Sequence, residues 1–270
     1  MRSLKTSSIV AAIASSTAFV ASAIAAPTIP WTTPNGSTST FSWSGGGSDN
    51  GLFGSPSLID VNGISLAPAG FKATAANGSA SQVSDRLEVD LAIVQPEFGP
   101  RKDFDKIHIR EFGDLALFSA PNSFAAASVG GALFVTVLES LAGPVVGDPG
   151  YVQVLPGTVF GDGGGFATYG NGAPYQAFPA IASGPGIVSI NRLWDGTFSI
   201  DLPAGVTKVK IVLNNILQAT AGIGSVATIE KKAVGIPVNI EIFQGDIPEP
   251  TTMLVLGSAG VLLLRRRNRA

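Results

Sequence analysis

The feature that most constrains this chain is a repeat of period two. In RLEVDLAIVQ (residues 86–95), Leu87, Val89, Leu91 and Ile93 fall on one side, and Arg86, Glu88 and Asp90 on the other. Successive side chains of an extended strand point to opposite faces, so this is a half-buried strand of an antiparallel sheet. KIHIREF repeats the pattern with Ile107 and Ile109 inward, and ALFVTVLES is apolar on both faces around Phe134 to Leu138, as a central strand would be. TKVKIVL, SVATIE and PVNIEIF follow at short intervals, with Pro237 suited to a strand start or an edge. IVSINRLW and TFSIDL flank Asp195-Gly196, a pair that supplies the positive φ angles of a tight hairpin turn. No amphipathic helix stands out. About ten short strands predict an all-β chain, an antiparallel β-sandwich of which the jelly roll is one form. Residues 27–50 read as an extended arm anchored by Phe41 and Trp43. The alternative is two smaller β domains joined near SAPNSFAAASVGG (119–131).

Composition agrees. The 270 residues include 33 Gly and 18 Pro, which punctuate strands and disfavour helix interiors. There is no cysteine, which excludes disulfides and thiolate metal sites. The net charge of −2 conceals a segregation. Setting aside Arg2, Lys5, Glu249 and the four terminal arginines leaves 11 basic against 18 acidic residues. An acidic body argues against nucleic acid and against an anionic membrane surface as partners.

The two ends carry addresses. MRSLKTSSIVAAIASSTAFVASAIAAP places two cations before a small, apolar run that closes on Ala23-Ile24-Ala25. That is the pattern of a secretory signal peptide. Cleavage after Ala25 is expected, giving a signal segment 1–25 and a body 26–247. At the other end, Pro248-Glu249-Pro250 precedes 14 uncharged residues, Thr251 to Leu264. As a helix these span roughly 21 Å, short of a hydrocarbon core of roughly 30 Å. The arginines behind can snorkel and lengthen the span. Met253, Leu254, Val255, Leu256, Val261, Leu262, Leu263 and Leu264 would form the apolar anchor, and Arg265, Arg266, Arg267 and Arg269 its cytoplasmic stop.

The order Pro-Glu-Pro, apolar stretch, terminal arginine cluster resembles the PEP-CTERM protein-sorting signal. The resemblance covers Ile247 to Ala270. It implies a diderm bacterial host and a membrane protease-transpeptidase, exosortase, that removes the tail and passes the body to the cell surface or matrix. Pro248, Glu249 and Pro250 would then be recognised by that enzyme. Proteins of this family are linked to exopolysaccharide and biofilm formation. FSWSGGGSDNGLFGSP and SDRLEVDL are similar to segments in the bodies of other PEP-CTERM proteins and carry no implied activity. The expected partners are signal peptidase, exosortase and exopolysaccharide. The expected route is export, transient anchoring in the inner membrane through the C-terminal helix, then the cell surface or medium. A structural or adhesive role is the leading expectation.

Few residues in the body suggest chemistry of their own. His108 is the single histidine, on the outward side of its strand, and no nucleophile elbow accompanies it. One histidine and no cysteine leave too few ligands for zinc. Asp103 and Asp105 flank Phe104, with Glu111 and Asp114 close behind, and two carboxylates could serve a glycosidase or ligate calcium through oxygen. Their setting among Arg101, Lys102 and Lys106 reads instead as a solvated loop. GSDNG and GDGGG read as turns lacking the Lys-Ser/Thr of a phosphate loop, and Gly222-Ile-Gly224 leads into a strand rather than a helix. Asn35-Gly36-Ser37 and Asn77-Gly78-Ser79 also read as turns. Trp194, Tyr169, Tyr175 and Trp31 are the candidates for stacking on sugar rings, so a glycan-binding module, with or without calcium, is the alternative to a purely structural role. An extracellular hydrolase ranks below it. No catalytic residue, metal ligand or cofactor is assigned.

Overall fold

The structure, a computed structural model, describes residues 26–141, 143–144, 151–155, 167–169, 180–232 and 238–247. All regular elements among them are strands. In chain order these are β1 (Ile29–Pro30), β2 (Gly36–Ser37), β3 (Phe41–Ser48), β4 (Pro56–Ile59), β5 (Gly63–Leu66) and β6 (Lys72–Ala76). Then come β7 (Ala80–Ile93), β8 (Arg101–Ser119), β9 (Ser123–Ser140), β10 (Gly143–Pro144), β11 (Tyr151–Leu155) and β12 (Ala167–Tyr169). The last are β13 (Ala180–Gly184), β14 (Val188–Asp201), β15 (Val206–Ala221), β16 (Val226–Lys231) and β17 (Val238–Ile247). The signal segment with Ala23 and Ala25, Tyr175, Pro237 and the sorting segment 248–270 lie outside the described residues.

Two sheets form. The first runs β1-β3-β7-β15-β9, with β10, β11 and β13 all on β9 and β2 on β3. The second runs β12-β14-β8-β17-β5-β4, with β16 also on β8 and β6 on β16. Every pairing is antiparallel except β12 with β14. The inner faces of both sheets share one apolar cluster. Leu87, Val89, Leu133, Val135, Ile211 and Leu213 enter it from the first sheet, and Ile107, Ile109, Leu117, Ile229 and Ile240 from the second. Each such side chain contributes about 1.5–3 kcal/mol through burial. The arrangement is thus all-β and sandwich-like, and its interior is continuous.

The long strands cross between sheets at tight corners. β6 passes to β7 through Asn77 and Gly78, both at positive φ. β8 passes to β9 through residues 120–122, and β15 to β16 through residues 222–225. The three corners meet on Ser225. Its hydroxyl accepts from the Ala120 amide at 3.0 Å and bonds the Ser123 hydroxyl at 2.9 Å. Its carbonyl accepts from the Asn77 amide at 3.0 Å. SAPNSFAAASVGG is therefore one of these corners continuing into β9, not a linker between domains.

Two expectations need correction. Asp195-Gly196 makes no hairpin; it lies inside β14, paired with Phe112 and Glu111 of β8 in an unbroken ladder from Val188 to Asp201. The pairing of a long strand overrides the local turn preference. The strands are also longer than expected: β8 has 19 residues and β15 has 16, so NNILQATA extends TKVKIVL instead of leaving it.

The three tryptophans shape the ladder through glycines. Trp31 covers Gly46, Trp43 covers Gly36 and Trp194 covers Gly113, each ring resting where a Cβ would stand. A Cβ on Gly113 would lie 2.4 Å from the Trp194 ring and 2.1 Å from the Glu230 carbonyl oxygen. Gly113→Ala is expected to cost about 1–3 kcal/mol through overpacking. Gly130→Ala, where nothing lies within 4 Å, should stay within about 0.5 kcal/mol of the parent. Denaturant midpoints of the two variants check this; equal midpoints would contradict the packing role of Gly113.

Candidate functional site: a lysine buried between the sheets

The residues singled out from sequence do not converge. His108 faces outward on β8, edge-on to Phe243 with ring centroids 6.5 Å apart. Trp194 is wholly buried and Trp31 nearly so, so neither ring is offered to a sugar. Burial of Trp194 follows from Gly113 directly opposite, which leaves room for the ring. Tyr169 ends β12, whose backbone pairs with Gly196; its side chain lies outside the described residues. Phe41 and Trp43 are core anchors, as expected.

The carboxylates are not on a solvated loop. Residues 101–119 form β8, and Asp103, Glu111 and Asp114 have separate partners. Asp103 is buried and accepts from the Gly205 amide at 2.6 Å, holding the turn before β15. Asp105 is exposed. Asp114 pairs with Lys232 at 2.9 Å. Asp103 and Glu111 are eight residues apart on one strand, about 26 Å at the usual rise. That is too far for a glycosidase pair. Among the described residues no group of three or more metal-ligating side chains gathers, and no helix is long and apolar enough to cross a membrane.

Between the two sheets a polar cluster forms. Four alternating strands each place a polar residue at an inward position: Asp85 on β7, Glu111 on β8, Asn215 on β15 and Lys231 on β16. The first sheet brings Asp85 and Asn215 together as directly paired residues. The second sets Lys231 beside Glu111, because β16 pairs Lys231 with Gly113, two residues along β8. Across the interior the halves join. The Lys231 ammonium donates to Glu111 Oε1, and Asn215 Nδ2 donates to Glu111 Oε2 at 2.7 Å. One carboxylate therefore binds a cation from its own sheet and an amide from the other.

Aromatic rings close the site. Lys231 Nζ lies 4.8 Å from the centroid of Phe53 and 5.0 Å from that of Phe71, and the two rings meet edge to face at 5.3 Å. Cation–π attraction offsets part of the cost of removing the ammonium from water. Asp85 positions Phe53. Its carboxylate accepts from the backbone amides of Asn50, Leu52, Phe53 and Arg86. The GSDNG segment thus ends β3 and turns at Asp49–Gly51, fastened to the core, with Asp49 held outside by Arg86 at 2.9 Å.

The electrostatics follow from burial. Lys231 and Glu111 both have fully buried side chains. Desolvation holds the Lys231 ammonium below the ordinary lysine range, against the raising pull of Glu111 and Asp85. Asn215 Oδ1 is buried with no hydrogen-bond donor. The result is a lysine nitrogen and an amide group held on the two oxygens of one buried carboxylate.

No family model matches the chain, and no curated protein matches it. Among solved structures, the enzymatically active domain of tailspike protein 4 from bacteriophage CBA120 aligns at 10% identity over 66% of this chain and 20% of that one, with a TM-score of 0.15. The infectious bursal disease virus Gt strain structure aligns at 13% identity over 80% of this chain and 55% of that one, with a TM-score of 0.12. This chain thus spans about a fifth and about half of their lengths. Likeness this slight carries no argument about function.

Removing the carboxylate strands a buried cation. Glu111→Leu is expected to destabilise the fold by about 3–5 kcal/mol. Asp114→Ala, which breaks a half-exposed pair on the outer face, should cost about 1 kcal/mol or less. Urea unfolding of the two variants measures the contrast; a Glu111→Leu loss no larger than that of Asp114→Ala would contradict the site as described.

Proposed function

We propose that the chain is an exported, exosortase-processed protein of the cell surface or extracellular matrix, with a structural or adhesive role in an exopolysaccharide or biofilm setting. The observation that carries this reading is the order of the C-terminal residues: Pro248-Glu249-Pro250, the apolar run to Leu264, then the arginine cluster. The N-terminal cations, apolar run and Ala23-Ile24-Ala25 support the same topology independently. On this reading the signal peptide is removed, the tail holds the body at the inner membrane with its arginines inside, and exosortase cuts near the tripeptide. The body is then a β-sandwich spacer or adhesin.

The body's character is in keeping with such a role. A chain without cysteine has no disulfide to brace it outside the cell. Here the two sheets are tied by a polar cluster in the interior. No catalytic activity forms part of this reading.

Mass spectrometry of the C-terminus of protein recovered from native cells and medium tests the proposal. The expected result is a chain ending near Pro248-Glu249-Pro250, found at the surface or in the medium. An intact terminus through Ala270, confined to the membrane fraction, would overturn the processing step.

A further inference from the structure

The buried cluster holds the components of a covalent reaction. We infer that Lys231 and Asn215 become joined by a side-chain amide, formed once in the folded protein with Glu111 carrying the protons and ammonia as the only co-product. This inference stands apart from the sorting reading, since it concerns only residues inside the body.

Three observations lead to it. First, nucleophile and acceptor hang on one carboxylate: Lys231 Nζ on Oε1, Asn215 Nδ2 on Oε2 at 2.7 Å. Holding reactants in place in this way replaces an encounter in solution by a step within one molecule. Second, the Lys231 and Glu111 side chains are fully buried, with Phe53 and Phe71 flanking the amine. Burial of this kind limits the access of bulk water, which would keep the amine protonated or compete for the acyl carbon. Desolvation favours the neutral amine, the only form that can attack. Third, the acceptor is defined by its neighbours. Both oxygens of Asp85 are occupied by backbone amides. Asn215 instead has an amide nitrogen beside the proton carrier and an oxygen with no donor.

The step balances without any other reagent. Lys231 passes a proton to Glu111, giving a neutral amine beside a neutral acid. Nζ attacks Asn215 Cγ, and the Nζ–Cγ bond forms. The Glu111 O–H protonates Nδ2, the Cγ–Nδ2 bond breaks and ammonia departs. Nζ loses its second proton to Glu111, which ends as the neutral acid. No electrons are transferred and no water is consumed. Glu111 acts as base and then acid, which is the task its two contacts suit it for.

The product is a staple. Residues 215 and 231 lie on either side of the corner at 222–225, on β15 of one sheet and β16 of the other. The new bond closes that corner into a covalent ring spanning the core. A chain lacking cysteine would thereby gain a cross-link that no reductant can open.

Peptide mapping of the protein purified from native cells decides the matter. Trypsin cuts after Lys210 and cannot cut after an acylated lysine. The expected peptide runs from Ile211 to Lys232 and is lighter by one ammonia. Its single acidic residue, Glu230, then permits a second cut. Cleavage after Glu230 should leave Lys231-Lys232 attached to residues 211–230 in a linked protein, and should free it otherwise. In the full chain, Asn215→Asp should form the same link with loss of water instead of ammonia. Glu111→Gln should remain unlinked. Release of Lys231-Lys232 from folded wild-type protein would overturn the proposal. So would an ammonia loss that survives in the 211–230 fragment after that release, since it would mark a cyclised asparagine instead.

Discussion

A lysine ammonium inside a β-sandwich must be neutralised where it lies, and that requirement organises the centre of this protein. Removing an isolated cation from water costs far more than a domain's net stability. Lys231 therefore demands a carboxylate on a neighbouring inward position, and Glu111 supplies it. Glu111 in turn has a second oxygen to satisfy, and Asn215 reaches it from the opposite sheet. The register of β16 on β8 and the closure of one sheet on the other are thus specified by polar chemistry. Apolar packing alone tolerates slippage by two residues far better than a paired charge does.

Around that cluster the fold is shaped by close approach. Phe53 and Phe71 flank the ammonium, and Asp85 fixes Phe53 by holding the backbone that carries it. Gly113, opposite Trp194 and paired with Lys231, lets three strands pass with a tryptophan ring where a side chain would stand. At one end the corners converge on Ser225, which satisfies backbone groups that the crossings leave unpaired.

Much of this was legible in the alternation of the strands. The inward residues of RLEVDLAIVQ, the inward Ile107 and Ile109, and the anchors Phe41 and Trp43 all lie in the core. The polar cluster was present in the same pattern but disguised. Asp85 continues the phase of Leu87, Glu111 that of Ile109, Asn215 that of Leu213 and Lys231 that of Ile229. A single polar residue in the apolar phase ordinarily marks the end of a strand. Only the pairing of distant strands shows that four such residues meet, and local periodicity carries no information about which strands pair. The same blindness made Trp194 an exposed ring beside a turn, because the partner strand that accommodates it lies some eighty residues earlier.

Two independent parts meet here: terminal segments that we propose direct the chain outward, and a body whose sheets are joined through one buried lysine. The lock is open to direct observation through the side-chain nitrogens of lysine. In protein labelled with nitrogen-15 at lysine Nζ, one resonance should carry protons protected from exchange with water, and it should vanish in Lys231→Arg. If every lysine Nζ exchanges as freely as those on the outer faces, Lys231 is not held in a dry interior, and the closure of the sheets on Glu111 and Asn215 would be contradicted.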